Sequence, residues 1–239
     1  MIYVATRAGK RHAASEDAVL VGTEVIVDAA ATLPVPEEGF VCVADGVGGH
    51  RGGAEASRFV LEALASLKDV QPGELRPLLT GINERLIASS AETPDMATTL
   101  TGFYACKDAF RLIHVGNTRA YVRQGRYLKQ VTTDHTTCQW LRSQGQYEAA
   151  EACDRSEITN CFGGGAAALL SRLTMSEIPP FSLALLTSDG VHEYLDLDTL
   201  ENLLAGDGDY ADKCGEIIRR AIAAGSEDDL TAVIFCFQK

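Results

Sequence analysis

The spacing of apolar positions changes period several times along the chain. Short runs rich in β-branched residues occupy 18–22, 24–28 and 39–45 and predict strands. From 54 to 68 the period lengthens. Phe59, Val60, Ala63, Leu64 and Leu67 recur at helical spacing and form one apolar face. Pro72-Gly73 interrupts, and a second helix is predicted over 74–90, with Leu75, Leu78, Leu79, Ile82, Leu86 and Ile87 inward. Strands follow at 98–106, 110–115, 118–123 and 127–131. The turns Lys107-Asp108, Gly116-Asn117 and Gln124-Gly125 separate them by about two residues, the spacing of an antiparallel meander. Residues 134–165 are less regular. A short helix near 138–143 leads into a polar stretch ending in Gly163-Gly164-Gly165, which predicts a flap-like surface excursion. Strands at 169–175 and 182–187, helices at 197–204 and 210–224, and a closing strand at 230–237 complete the pattern.

No repeat, low-complexity tract or linker divides these elements, so residues 1–239 are expected to form one domain. Hairpin-spaced strands argue for antiparallel sheets. Two stacked sheets with helices over their outer faces would bury every apolar face. The expected fold class is therefore α+β, a four-layer α-β-β-α sandwich.

Composition narrows the functional classes. Hydrophobic residues make up 46% and charged residues 23% of the 239, which excludes disordered and collagen-like chains. Against 33 acidic residues stand 21 basic ones, a net charge of −12. A nucleic-acid binder needs a basic footprint, and none is present. An anionic substrate would need a local reversal of this acidic field. Apolar runs fall far short of the ~18 residues of a spanning helix, so no membrane insertion is expected. The opening residues lack a basic region followed by an apolar core, so no signal peptide is read. Seven cysteines include no CxxC pair, which argues against a zinc ribbon or a redox motif. Cys42, Cys106 and Cys236 sit in apolar runs, where a free thiol acts as a small hydrophobe. A reduced, cytoplasmic protein is expected.

Four acidic sites adjoin apolar runs: Glu16-Asp17, Asp45-Gly46, Asp189-Gly190 and Asp228-Asp229. One Asp-Gly pair is ordinarily a turn. A carboxylate at the end of a buried strand costs desolvation, and several together raise one another's pKa. Hard divalent cations, Mg²⁺ or Mn²⁺, relieve both problems because they prefer oxygen ligands.

At these residues the sequence resembles the metal-dependent serine/threonine protein phosphatases of the protein phosphatase 2C family. Ser15-Glu16-Asp17-Ala18 looks like the family's Asn-Glu-Asp motif. Val43-Ala44-Asp45-Gly46-Val47-Gly48-Gly49 resembles its Asp-Gly-x-Gly-Gly segment, with the apolar Val47 of bacterial members. Ala97-Thr98-Thr99-Leu100 is similar to Gly-Thr-Thr-Leu. His114-Val115-Gly116-Asn117-Thr118-Arg119-Ala120-Tyr121 is similar to Val-Gly-Asp-Ser-Arg-x-Tyr. Thr132-Thr133-Asp134-His135-Thr136, Thr187-Ser188-Asp189-Gly190 and Ser226-Glu227-Asp228-Asp229-Leu230-Thr231 follow in the family's order.

The resemblance implies a β-sandwich with flanking helices and a centre of two Mn²⁺ or Mg²⁺ ions. Asp45 would bridge them, with Glu16 and the Gly46 carbonyl on one ion and Asp189 and Asp228 on the other. Asp17 would act directly or through a water. A water between the cations would lose its proton near neutral pH and attack the phosphorus of phosphoserine or phosphothreonine. Phosphoprotein substrates and an opposing serine/threonine protein kinase are the implied partners. The chain departs from the pattern at several places. Where members place a phosphate-gripping arginine stands His12, preceded by Arg11, and either one would contact phosphate. Asn117 replaces an aspartate that binds a third ion, so a third site is expected to be weak. Asp229 replaces an asparagine. His50 reads as a loop residue and His114 as core. These departures keep two alternatives open: a phosphoprotein-binding module with weak turnover, and a metal phosphoesterase acting on small molecules.

Overall fold

Successive strand residues face opposite sides of a sheet, so a strand that is apolar at every position must be covered on both faces. That rule organises this chain. The computed structural model describes residues 1–47, 51–68, 70–71, 73–89, 96–106, 109–164, 170 and 172–237. In chain order come β1 (Ile2–Arg7), β2 (Ala18–Val21), β3 (Glu24–Ile26), β4 (Ala30–Leu33), β5 (Glu38–Ala44) and β6 (Gly46–Val47). Two helices follow, α1 (Arg51–Ala65) and α2 (Leu75–Ser89), then β7 (Ala97–Thr98), β8 (Leu100–Cys106), β9 (Ala109–Val115), β10 (Arg119–Gln124) and β11 (Tyr127–Gln130). The chain continues through α3 (Thr137–Ser143), α4 (Tyr147–Ala152), β12 (Phe162–Gly163), β13 (Thr174–Ile178) and β14 (Leu183–Thr187). It closes with α5 (Asp189–His192), α6 (Leu197–Ala205), α7 (Tyr210–Ala223) and β15 (Leu230–Cys236).

Two six-stranded antiparallel sheets are stacked. One has the order β11-β10-β14-β15-β1-β4 and the other β13-β9-β8-β5-β2-β3. A three-stranded sheet, β12-β7-β6, lies beside them. The period-2 alternation sorts each strand between layers. On β5, Val41 and Val43 enter the core between the sheets, while Phe40, Cys42 and Ala44 face α1 and α2. On β15, Val233 and Phe235 face inward, while Ala232 and Ile234 meet α7. Five phenylalanines, Phe103, Phe110, Phe181, Phe235 and Phe237, pack ring against ring between the sheets. Burying each such side chain contributes about 1.5–3 kcal/mol, and a one-residue slip in register would turn the whole set outward. The layers are thus helices, sheet, sheet, helices, as the pattern predicts.

Differences have physical causes. Ile2–Arg7 carries no strand expectation above, yet β1 lies between β15 and β4. Both its faces are buried, so the alternation that marks a half-exposed strand is absent. The strand expected at 169–175 is displaced to β13. Leu170 and Leu173, three apart, instead plug the core beside α2, and Arg76 donates to the Leu173 carbonyl (3.0 Å). The strand expected at 98–106 breaks at Thr99, whose N–H leaves the ladder to meet the Asp45 carbonyl (2.9 Å). Residues between β11 and β12 carry α3 and α4 on a neck where Thr136 pairs with Ile158, and the Thr137 N–H donates to the Glu157 carbonyl (3.0 Å). Pro72, the Lys107-Asp108 turn, Gly165, and Gly48, Gly49 and His50 of the glycine-rich segment lie outside the described residues.

Candidate functional site

Antiparallel pairing brings strand ends of opposite polarity together, and the acidic residues occupy those ends. Ala18 pairs with Ala44, so Asp17 at the start of β2 lies beside Asp45 at the end of β5. Thr187 pairs with both Ala232 and Arg119. That register sets Asp189, the Asp228-Asp229 pair and Asn117 at one end of the other sheet. Across the sandwich the Thr231 hydroxyl donates to Asp17 Oδ2 (2.7 Å) and joins the two groups.

A cleft of about 390 Å³ opens at this end. Its walls include Arg11, His12, Glu16, Asp45, Gly46, Asn117, Asp189 and Asp228, together with Val47, Ser156 and Ile158. Asp17 lies buried behind them. Every site residue expected from the sequence therefore gathers at one place. Gly46 and Gly53 make the close approach possible. A Cβ on Gly46 would fall 2.4 Å from the Gly53 backbone, and one on Gly53 would fall 2.9 Å from Glu16 Oε2.

The electrostatics are strained. Burial, then the charges of Asp189, Asp17, Asp228 and Asp229, hold the Asp45 carboxyl well above its ordinary range. Burial does the same to Asp17, against hydrogen bonds from Ser188 and Thr231. Asp189 is raised by burial and by Asp228, and lies within hydrogen-bonding reach of Asp45. The Asn117 amide offsets part of this by donating Nδ2–H to Asp189 Oδ2 (3.0 Å). Two buried oxygens here have no partner, Asp17 Oδ1 and Asn117 Oδ1. Oxygen donors crowded together, with acceptors left over, fit a hard divalent cation. Among the described residues no three His, Cys, Asp or Glu side chains form a ready-made metal cage. Carboxylates repel until an ion is present, and Mg²⁺-like ions keep several waters and need few protein ligands.

Two expectations are refined. His12 does not face the cleft unencumbered: its Nδ1 pairs with Asp229 Oδ2 (2.9 Å). Burial disfavours the charged ring. The Asp229 hydrogen bond and the charges of Asp229, Glu16 and Asp228 outweigh it and raise the His12 pKa. Asp229 also accepts from the Gly9 N–H (2.8 Å) and the Glu16 N–H (2.7 Å), so it clamps the loop that carries Glu16. No sequence signal marked that role. Arg11 is largely exposed, with Nη1 3.5 Å from Asp228.

A smaller polar pocket of about 130 Å³ adjoins the cleft at Asn117. Arg119 spans it and donates to both Asp134 oxygens, Nε–H at 3.0 Å and Nη2–H at 2.6 Å. His114 is core, as expected. Thr118 donates to Thr101 (2.6 Å), Thr101 to His114 Nδ1 (2.8 Å), and His114 Nε2–H to the Thr133 carbonyl (2.9 Å). Thr99, whose hydroxyl lies 3.3 Å from that of Thr118, ends this chain at the cleft and accepts from the Asp45 N–H (3.0 Å).

The model of the family described as Protein phosphatase 2C matches residues 24–233. The chain is 32% identical over 206 residues to serine/threonine protein phosphatase PstP of Mycobacterium tuberculosis. That match covers 82% of this chain but 40% of PstP. It is 25% identical over 214 residues to serine/threonine phosphatase stp of Listeria welshimeri, covering 82% of this chain and 83% of that one. The crystal structure of the M. tuberculosis phosphatase PstP/Ppp superposes with a TM-score of 0.80 at 26% identity, over 100% of this chain and 99% of that one. The PstP catalytic domain in complex with two manganese ions superposes with a TM-score of 0.73 at 26% identity, over 98% of each chain.

Proposed function

The chain belongs to the protein phosphatase 2C family, and from that premise we propose that it hydrolyses phosphoserine and phosphothreonine in proteins with two divalent cations. The observation that carries this reading is the only partly compensated carboxylate cluster at the joined sheet ends, with its unpartnered Asp17 and Asn117 oxygens. Glu16, Asp45 and the Gly46 carbonyl would hold one Mn²⁺ or Mg²⁺, and Asp45, Asp189 and Asp228 the other, with Asp17 acting directly or through a water. The two manganese ions of the PstP catalytic domain support that number. Asn117 gives its amide N–H to Asp189, and its neutral oxygen makes a third ion weak. When bound, such cations neutralise phosphoryl oxygens and acidify water.

The protein's own residues do the remaining work. Thr231 fixes Asp17, and Asp229 fixes the Glu16 loop. Arg11, loosely paired and exposed, lines the cleft and contacts the phosphate, while His12 is anchored through Nδ1 to Asp229. Phosphoprotein substrates imply an opposing serine/threonine protein kinase, and a cytoplasmic location goes with this proposal. Among the described residues no helix is long and apolar enough to cross a membrane.

The test is phosphate release from a phosphothreonine peptide with Mn²⁺, against a chelator and against nucleotide substrates. Release that needs the metal and favours the peptide is expected. Peptide binding without release would favour the phosphoprotein-binding module, and preference for nucleotides the small-molecule esterase.

A further inference from the structure

The excursion between β11 and β12 holds a feature that the phosphatase reading does not use. Cys138 lies in α3 and Cys153 caps the C-terminus of α4. Their thiols converge on one atom: Cys138 Sγ–H donates to the Asp154 carbonyl at 3.3 Å and Cys153 Sγ–H to the same carbonyl at 3.4 Å. The two side chains are also within hydrogen-bonding reach of each other. By contrast Cys214, fully buried, donates to the Tyr3 carbonyl. Cys106 and Cys236 stand on different sheets. We infer that Cys138 and Cys153 form a reversible disulfide that reshapes the wall of the substrate cleft.

The step balances with a peroxide as oxidant. Cys153 is the more accessible sulfur. Its thiol takes one peroxide oxygen to become a sulfenic acid, and the other oxygen leaves as water. The Cys138 sulfur then attacks the Cys153 sulfur, the S–S bond forms, and the sulfenic hydroxyl departs with the Cys138 proton as a second water. A dithiol reductant reverses the bond. The Cys138 contact pushes the Cys153 thiol up to about 11, so oxidation needs sustained peroxide rather than a trace.

The consequence follows from what lies next in the chain. The bond takes both donors from the Asp154 carbonyl. Arg155 lines the smaller pocket, and Ser156 and Ile158 line the acidic cleft. A shift at 154–158 alters the wall that a bulky substrate meets, while the carboxylates on the sheet ends stay in place. This part rests on the phosphatase reading; the bond itself does not.

Trypsin cuts after Lys129, Arg142 and Arg155, which puts Cys138 and Cys153 in separate peptides holding one cysteine each. After peroxide treatment of the full chain, non-reducing mass spectrometry should find these two peptides joined with the loss of two hydrogens. Dithiothreitol should part them, and Cys153→Ser should abolish the joined species while keeping reduced-state activity. In the oxidised wild type the KM for a phosphothreonine peptide should rise about tenfold, the scale of one displaced polar contact, with kcat for a small aryl phosphate unchanged. Separate peptides after full oxidation, or either cysteine joined elsewhere, would overturn the bond. A joined pair with unchanged KM would overturn its effect on the cleft. Absence of hydrolysis in every state would count against the phosphatase reading, while the peptide map would still decide the bond.

Discussion

Two buried polar clusters meet at Thr99, and they are built on opposite principles. From Thr118 through Thr101 and His114 to the Thr133 carbonyl, each donor has an acceptor and no side chain needs a charge. On the other side of Thr99, the Asp17, Asp45 and Asp189 carboxyls crowd together with raised pKa values and an unpartnered Asp17 oxygen. A satisfied neutral network rigidifies a fold by itself. A cluster with more acceptors than donors is complete only with something positive in it. The first holds the sheets together, and the second is the place where they are open to chemistry.

The sharpest break in this contrast is Asp45→Asn or Asp189→Asn. Loss of several kcal/mol of cation-borne stabilisation should cut Mn²⁺-dependent hydrolysis by about 10³-fold or more. The same change should raise the melting temperature of the chelated protein, since one like charge is gone. Near-normal turnover in either variant would end the two-cation account. Titration with Mn²⁺ comes next. Calorimetry should count two strong ions rather than three, and at a hundredfold excess over Kd the wild type should gain about 2.7 kcal/mol for each ion bound. In the neutral cluster, Thr101→Val strands the His114 Nδ1 acceptor and should cost about 1–3 kcal/mol, read as a lower urea midpoint with or without metal. If added Mn²⁺ rescued it, the two clusters would not be separate. Arg11→Ala should raise the phosphopeptide KM roughly tenfold, the scale of a charge-assisted hydrogen bond, and an unchanged KM would exclude Arg11 from the phosphate contact.

The smallest effect is in pH. Burial lowers the His114 pKa to about 4; burial, His114 and Arg172 lower that of His135 to about 4. A depressed histidine gives stability that is complete above its unfolded value near 6.5 and is lost as pH falls towards 4. The raised carboxyls of Asp17, Asp45 and Asp189 act in the opposite sense. Their contribution is complete below about 3.8 and is lost as pH rises through their folded values. Thermal melts of the chelated protein should therefore fall off on both sides, and Mn²⁺ should flatten the alkaline side alone. A profile that Mn²⁺ shifts equally at every pH would erase the distinction.

Much of the site was legible because carboxylates at the ends of apolar runs are costly, and a costly residue stands out. Asp45, Asp189 and Asp228 announce themselves in this way. The layer order was legible too, since hairpin spacing implies antiparallel sheets with faces to cover. Asp229 was not: its role is to bind the Gly9 and Glu16 N–H groups more than two hundred residues away, and no local pattern encodes that. β1 was hidden by its burial on both faces. The Cys138–Cys153 meeting has no CxxC spacing because two short helices, not a turn, bring the thiols together.

The pairing of β1 with β15 has a consequence for the order of events during synthesis. Ile2 lies opposite Phe235, so one central ladder of the sheet joins residues more than two hundred positions apart in the chain. The sheet of β2, β3, β5, β8, β9 and β13 can assemble while the chain is still being made. Its partner cannot close until Leu230–Cys236 arrives, and contacts so distant in sequence form slowly. Asp228 comes with that final strand. A nascent chain thus carries Glu16, Asp17 and Asp45 without the acidic residues opposite them until Asp189 and then Asp228 are made, and the cleft takes its shape only when β15 seats.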